Sequence, residues 1–180
     1  MKYESIDSKL FIKNRANFSR EMKKNSIAFF NSNDIYPVSA DSTLPFEQHR
    51  DIFYLSGIDQ EESILVLCPD NPNPDLREIL FLKETNDHIA VWEGPKINKT
   101  QALEISGIKT VFWLKDLEKL VDKLVSTCHN IYFNKNEHYR AKIETETREA
   151  RFNSWLEKKY PKKNKERSNP ILQRLRSIKD

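Results

Sequence analysis

The spacing of apolar and polar positions along the chain predicts helices and strands in a mixed order. Phe11, Phe18 and Met22 recur at three- to four-residue spacing, with Arg15 on the same face, which predicts an amphipathic helix over residues 8–24. Short apolar runs predict strands, and two of these runs are almost unbroken, as in strands that are covered on both faces. The runs occupy residues 26–30, 51–58, 63–68, 78–82 and 89–92.

The second half of the chain alternates predicted helices and strands. Helices are predicted over residues 99–106 and 116–128, and a further one from about residue 140 to residue 159. Strands are predicted over residues 110–114 and 130–133. This order predicts an α/β fold with a mixed sheet and helices on its faces.

One segment, residues 31–45, is rich in Asn, Asp, Ser and Pro, and it predicts a long irregular loop. A loop of this length inside a small domain is typically a functional loop. We therefore expect binding residues in this segment rather than in the strands.

Composition supports a folded core and separates a mildly acidic body from a basic tail. Of the 180 residues, 38% are hydrophobic and 11% are aromatic, which excludes a disordered chain. The net charge is +3, yet residues 158–180 contain nine Lys or Arg against Glu166 and Asp180. A basic tail can bind nucleic acid, but the single aromatic Tyr160 offers little stacking, so a solvated linker is the favoured interpretation.

Two cysteines are too few for a disulfide scaffold. Cys68 and Cys128 each end an apolar run, which predicts reduced thiols in the core. No apolar stretch reaches the ~20 residues that span a bilayer, and the N-terminus lacks the apolar segment of a secretory signal. These features predict a cytoplasmic protein that has no membrane partner.

The residue types that carry catalysis do not form a complete motif. The three glycines are too far apart for a phosphate-binding loop, and no GxSxG element occurs. No histidine has zinc-binding spacing, and the acidic residues nearest to the loop lie in loops and turns, which disfavours a metal site. These histidines and acids are His49, His88, His129, His138, Asp34, Asp41, Asp51, Glu61 and Glu62.

Several segments taken together resemble one family. Between residues 39 and 58, ADSTLPFEQHRDIFYLSGI is similar to the ADS-x-x-P-F/Y-R-Q-x-S-D-F-x-Y-L/F-T/S-G-F stretch of the amino-terminal domain of Xaa-Pro aminopeptidases. Residues 10–22, 61–67, 90–96 and 175–179 resemble further segments of the same proteins. The chain departs from the pattern at Glu47, Arg50, Pro95 and Lys96.

The resemblance implies a fold and a division of the chain. It implies a mixed, roughly six-stranded sheet of ribonuclease-H-like topology, flanked by helices. Residues 1–160 would form the amino-terminal domain, and residues 161–180 a basic linker that leads into a catalytic pita-bread domain. In this family that absent domain holds two manganese or similar divalent ions and releases the N-terminal residue that precedes proline. We therefore expect the 180-residue chain to be inactive alone.

The resemblance also implies partners and two site residues. Asp41 matches the Asp of the ADS loop, and Trp92 matches the Trp of the family's EIWxG turn. Both are expected to be exposed and to contact a peptide substrate that has proline second, at a neighbouring subunit's active-site entrance. The expected partners are the catalytic domain and further copies of the chain, in a dimer or tetramer, without nucleic acid.

Two alternatives stay open from the residues. A ribonuclease-H-like sheet with a basic tail could be a nucleic-acid-binding module, although its two most apolar strands carry only Glu78 as a candidate metal-binding acid. The same type of domain also precedes the catalytic domain of creatinase-type enzymes, which act on other substrates.

Overall fold

The computed structural model describes residues 6–134 and Lys158. Residues 1–135 form one compact unit of the chain, and it contains all the elements given below. The helices are α1 (Ser8–Glu21), α2 (Arg50–Ser56), α3 (Asp87–Glu93), α4 (Lys99–Ser106) and α5 (Leu117–Val125). The strands are β1 (Ser26–Asn31), β2 (Pro37–Ser39), β3 (Ser42–Thr43), β4 (Ser63–Leu67), β5 (Glu78–Leu82), β6 (Thr110–Trp113) and β7 (Asn130–Phe133).

Five strands form a mixed sheet in the order β6-β5-β4-β1-β7. The central strand β4 runs antiparallel to β1 and β5, while β6 pairs parallel to β5 and β7 pairs parallel to β1. The predicted α/β fold with a mixed sheet and flanking helices is therefore confirmed. The helix predicted over residues 140–159 and the tail after it lie outside the described residues, except for Lys158.

Apolar layers cover both faces of the sheet, which explains the unbroken apolar runs in β4 and β5. Alternate residues of each strand enter opposite layers. The layer under α1, α2 and α4 contains Ala28, Phe30, Leu65, Leu67, Leu80, Leu82 and Val111, together with Ile52, Leu55, Ile58, Ala102 and Ile108. The layer under α5 contains Ile27, Val66, Cys68, Ile79, Phe81 and Leu124.

Residues 51–58, predicted as a strand, lie mostly in the helix α2, so that prediction is wrong. The His49 side chain accepts a hydrogen bond from the backbone of the first turn, and Gly57 ends the helix with a φ of 70°. A strand would bury alternate residues, but Tyr54 is 57% exposed while Ile52 and Leu55 are buried at helical spacing. The aromatic composition favours a strand, but the capping contacts and the burial pattern are those of a helix.

The predicted strand over residues 89–92 is wrong for a similar reason. The Asn86 side chain accepts a hydrogen bond from the backbone N–H of Ile89 at 3.0 Å, so Asn86 caps the helix α3. Val91 is 75% exposed, which a strand of the sheet would not allow. At α1, the capping side chain is that of Asp7.

Within the predicted irregular segment 31–45, a small two-stranded hairpin of β2 and β3 forms apart from the main sheet. Its turn places Ala40 at a φ of 49°, an uncommon conformation for a residue with a Cβ. Among residues 6–134, no helix has the length and hydropathy that crossing a bilayer requires.

The side chain of Arg15 is fully buried and joins three elements to α1. Its Nη1 donates to the carbonyl oxygens of Leu55 at 2.8 Å and Ser106 at 2.9 Å, at the C-terminal ends of α2 and α4. Its Nε donates to Oε2 of Glu78, which begins β5, at 2.9 Å. Burial lowers the pKa of Arg15 and Glu78 opposes this shift, yet a guanidinium stays charged in a protein. The positive charge therefore meets the negative ends of two helix dipoles and one carboxylate.

The two helix ends that meet Arg15 share a Ser-Gly-Ile sequence and one geometry. Gly57 and Gly107 have φ values of 70° and 72°, and each glycine N–H donates back to its helix at 2.8 Å. A Cβ on Gly57 would lie 2.4 Å from the ring of Phe11, and one on Gly107 would lie 2.6 Å from Ile12. Glycine thus satisfies the turn and lets α1 lie directly against both helix ends.

We expect Arg15→Met to lower the free energy of unfolding by about 3–5 kcal/mol, because it leaves buried carbonyls and Glu78 without their donor. Glu78→Gln should cost less, about 1–3 kcal/mol, because an amide oxygen still accepts from Nε although the buried guanidinium loses the charge of its carboxylate partner. Urea unfolding of the 180-residue chain measures both. Lys13→Met, at an exposed position of the same helix, is the control. If Arg15→Met destabilised the chain no more than Lys13→Met does, the structural role assigned to Arg15 would be contradicted.

Candidate functional site

The two connections that carry the predicted site residues leave the sheet at the same edge. The register pairs Asn31 with Ile64 and Leu82 with Ser63, so β1 and β5 both end where β4 begins. Residues 32–49, which carry Asp41, follow β1, and residues 83–98, which carry Trp92, follow β5. Because β4 is antiparallel to both neighbours, the topology brings these two connections to one end of the sheet.

The 32–49 loop is attached to that edge at its first residue and near its base. The backbone N–H of Ser32 donates to the carbonyl oxygen of Ser63 at 2.9 Å, and the backbone of Ser63 donates to the Ser32 hydroxyl at 3.1 Å. Asn33 donates from its side chain to the carbonyl oxygen of Glu47 at 2.9 Å, which joins the two arms of the loop. The loop is thus closed at its base, and the hairpin of β2 and β3 forms its outer part.

The other end of the loop depends on Gln48. Its Nε2 donates to the carbonyl oxygens of Ile58 at 3.0 Å and Gln60 at 2.9 Å, while its Oε1 accepts from the backbone of His49 at 2.8 Å. Since His49 caps α2, one glutamine side chain connects the loop, the start of α2 and the segment before β4. This residue is structural, and it holds the loop in place beside β4.

Asp41 lies exposed in the turn between β2 and β3. Every residue of the two short strands is exposed, so the hairpin contributes nothing to the core. Val38 is 56% exposed and Leu44 is 52% exposed, close in the chain to the carboxylate. The hairpin therefore presents an acid with apolar neighbours to solvent, a combination suited to contact with another surface.

Trp92 lies on α3, near the end of that helix, and its side chain is outside the described part of the structure. The next residue, Glu93, accepts from Nζ of Lys83 at 2.7 Å, and the same Nζ lies 2.9 Å from Glu62. The side chains of Glu93 and Glu62 raise the pKa of Lys83, and its ammonium group stays charged. Lys83 therefore connects the helix that carries Trp92 to the segment just before β4.

Two of the carboxylates considered for a metal site, Glu61 and Glu62, are engaged by lysines. Glu61, whose side chain is 9% exposed, pairs with Lys96, and Glu62 pairs with Lys83. Over residues 6–134, no group of three or more His, Cys, Asp and Glu side chains could hold a metal ion. Glu78, the acid considered for a nuclease site, pairs with Arg15.

A surface cavity of about 450 Å³ lies beside the base of the loop, between α1 and α2. Leu10 is 49% exposed and Tyr54 is 57% exposed at this cavity, so its surface is largely apolar and accessible. Such a cavity suits an apolar side chain better than an ion. It is lined by Ile6, Leu10, Phe11, Asn14, Glu47, Gln48, Arg50, Phe53 and Tyr54.

Sequence reasoning missed the residues that hold this edge together. Gln60 is 4% exposed and accepts from the backbone of Ile97 at 2.6 Å, and Lys96 reaches the buried Glu61. Nothing in the spacing of Gln48, Gln60 and Lys96 reveals these contacts, because each joins separate segments. The available signal was that Gln48 and Lys96 lie inside segments that resemble the family.

The comparisons with known proteins agree on one family. The model of the aminopeptidase P N-terminal domain matches residues 11–132. Human Xaa-Pro aminopeptidase 3 is 27% identical over 151 residues, which are 82% of this chain and 29% of that protein. Intermediate cleaving peptidase 55 of Saccharomyces cerevisiae is 28% identical over 127 residues, 69% of this chain and 24% of that protein. The chain thus spans less than a third of the length of either relative.

Solved structures of similar proteins have the same fold. The structure of Pseudomonas aeruginosa aminopeptidase PepP matches with a TM-score of 0.67 at 20% identity, over 84% of this chain and 32% of that one. The low-pH form of Escherichia coli aminopeptidase P matches with a TM-score of 0.66 at 23% identity, over 86% and 33%. The family suggested by the sequence segments is confirmed.

The two lysines that pair with the acids just before β4, Lys83 and Lys96, should differ in their effect on stability. Lys96→Met is expected to lower the free energy of unfolding by about 2–4 kcal/mol, because it leaves a buried carboxylate unpaired. Lys83→Met should cost no more than about 1 kcal/mol, since the Glu62 and Glu93 side chains are 50% and 42% exposed. Chemical denaturation of both variants tests this difference.

A third variant separates the ion pair from packing. Adding Glu61→Leu to Lys96→Met should restore part of the lost stability, because no unpaired buried charge then remains. Equal small losses in the two lysine variants, or a further loss on adding Glu61→Leu, would contradict this account.

Proposed function

The chain belongs to the family of aminopeptidase P N-terminal domains, and on that premise we propose that it is the non-catalytic domain of a metal-dependent Xaa-Pro aminopeptidase. The whole protein would release the N-terminal residue that precedes proline. The domain would contribute assembly and substrate contact, while the chemistry belongs to a catalytic domain. Residues 1–160 would form the domain, and residues 161–180 would lead into the catalytic part.

The observation that carries this proposal is the shared edge of the sheet. The loop with Asp41 and the connection with Trp92 leave the sheet at the same end, where β4 begins. A carboxylate at an exposed turn can pair with the cationic N-terminus of a peptide, and a tryptophan can pack against the peptide's first side chain. Two such contacts from one edge suit a substrate held at the entrance of an active site.

The pairing of acids in the described residues supports a binding role over a catalytic one. Glu61, Glu62 and Glu78 each have a basic partner, so none is available as a metal ligand or general base without breaking an ion pair. The two manganese or similar divalent ions that the family implies would therefore be held by the catalytic domain. When bound there, they would supply an activated hydroxide for peptide hydrolysis.

Assembly forms the second part of the proposal. Val38 and Leu44 expose apolar surface beside Asp41, which favours contact with a neighbouring subunit over permanent exposure to solvent. We place the hairpin against another copy of the same protein, in a dimer or tetramer. A cytoplasmic location accompanies this proposal, in keeping with two free thiols.

The 180-residue chain alone should not hydrolyse a peptide with proline second, with or without Mn²⁺. Over residues 6–134, no cluster of His, Cys, Asp and Glu side chains could hold a metal pair near a substrate. The assay compares the purified chain with the longer enzyme that contains it, on the same tripeptide. Turnover by the 180-residue chain that persists through purification and disappears with chelator would overturn the proposal.

In the longer enzyme, Asp41→Ala and Trp92→Ala should each lower kcat/KM on Xaa-Pro peptides by about 5- to 150-fold, equivalent to about 1–3 kcal/mol of lost contact. Asp34→Ala, an exposed acid of the same loop outside the hairpin, is the matched control and should leave kcat/KM unchanged. Light scattering checks whether each variant keeps the oligomeric state. Wild-type kinetics for both variants in an intact oligomer would refute the assigned contacts.

A further inference from the structure

Two thiols from distant parts of the chain touch each other at the end of the sheet opposite the candidate site. Sγ of Cys68 lies 3.5 Å from Sγ of Cys128, although the two residues are 60 positions apart. Cys68 directly follows β4, and Cys128 lies between α5 and β7. Since the candidate site lies where β4 begins, the length of β4 separates the two places.

The backbone holds both cysteines in position independently of their sulfur atoms. The N–H of Cys68 donates to the carbonyl oxygen of Arg77 at 2.8 Å, and its own carbonyl accepts from Asn71 at 3.0 Å. The N–H of Cys128 donates to the carbonyl oxygen of Val125 at 3.0 Å. The contact between the sulfurs is therefore a consequence of the fold, and bond formation requires them to approach by about 1.5 Å more.

The two thiols differ in access to solvent. Cys68 is 2% exposed within the apolar layer under α5, whereas Cys128 is half-buried. Burial, followed by the neighbouring Cys128, raises the pKa of the Cys68 thiol to about 11. A reagent from solvent therefore meets Cys128 first, and Cys68 is placed to react second.

We propose that Cys68 and Cys128 form a redox-sensitive modification site, which a small-molecule disulfide such as glutathione disulfide converts into a disulfide bond within the domain. The pair is a dithiol under reducing conditions, as in the structure described. Oxidation would join the end of β4 to the connection before β7. Neither element belongs to the candidate site, so the modification acts on the stability of the domain rather than on its substrate contacts.

The reaction balances in two exchange steps. The Cys128 thiolate attacks one sulfur of glutathione disulfide, the S–S bond of that reagent breaks, and one glutathione thiolate leaves. Cys68, its proton passing to a glutathione thiolate, then attacks the Cys128 sulfur of the mixed disulfide and expels the second glutathione. Two protein thiols are oxidised by two electrons, and one glutathione disulfide is reduced to two glutathione molecules.

The first experiment incubates the folded 180-residue chain with excess glutathione disulfide at neutral pH. Mass spectrometry should show loss of two hydrogen masses and a peptide pair that links Cys68 to Cys128, reversed by dithiothreitol. Closing a 60-residue loop should raise the Tm by about 5–10 °C. Free thiols on both residues, a disulfide between two chains, or a Tm that does not rise on oxidation would overturn the proposal.

Single substitutions test the order of the two steps. Cys68→Ala should accumulate the glutathione adduct on Cys128, because no second thiol can displace it. Cys128→Ala should stay unmodified while folded, because Cys68 is buried. A glutathione adduct on Cys68 in the folded Cys128→Ala variant would contradict the proposal that Cys128 reacts first. A glutathione adduct that persists on Cys128 of the wild-type chain would contradict formation of the disulfide. Circular dichroism before and after oxidation confirms that each chain is folded.

Discussion

The arrangement of the helices over one face of the sheet depends on the buried guanidinium of Arg15. It donates to the carbonyl ends of α2 and α4 and pairs with Glu78 at the start of β5. A buried charge of this kind is stable only when its partners are all in place, so it selects one packing of α1 against the other helices. Gly57 and Gly107 make that packing sterically possible, because side chains there would collide with Phe11 and Ile12.

The direction of β4 determines where the long connections and the cysteine pair lie. Since β4 runs antiparallel to both β1 and β5, the long connections after β1 and β5 meet at one end of the sheet, and the cysteine pair lies at the other. The end with the loops is polar and rich in ion pairs, and it exposes Asp41. The end with the thiols also carries polar contacts, among them those of Asp70 with the backbone of Asn25 and of Arg15 with Glu78. The sheet thus separates the proposed contact surface from the proposed disulfide site.

The buried ion pair of Lys96 and Glu61 forms at a position where this sequence departs from the family pattern. Residues 90–96 resemble the family only partly, and Lys96 is one of the differences. Its ammonium group nevertheless reaches the buried Glu61 beside β4, where any cation of suitable length would meet the same need. Gln48 and Gln60 complete this edge through backbone contacts. The fold is therefore retained although this charged position departs from the family pattern.

The sequence by itself determined the class of fold, the family and most elements, because long amphipathic helices and doubly covered strands carry their periodicity locally. It also placed Arg15 on the apolar face of α1. It could not identify the partners of Arg15, which lie 40, 63 and 91 residues away, nor the contact between Cys68 and Cys128. It misassigned α2 and α3, because aromatic and β-branched composition favoured strands where the caps and the tertiary packing favour helices. Contacts between distant segments form only in the folded chain, and tertiary structure alone decided them.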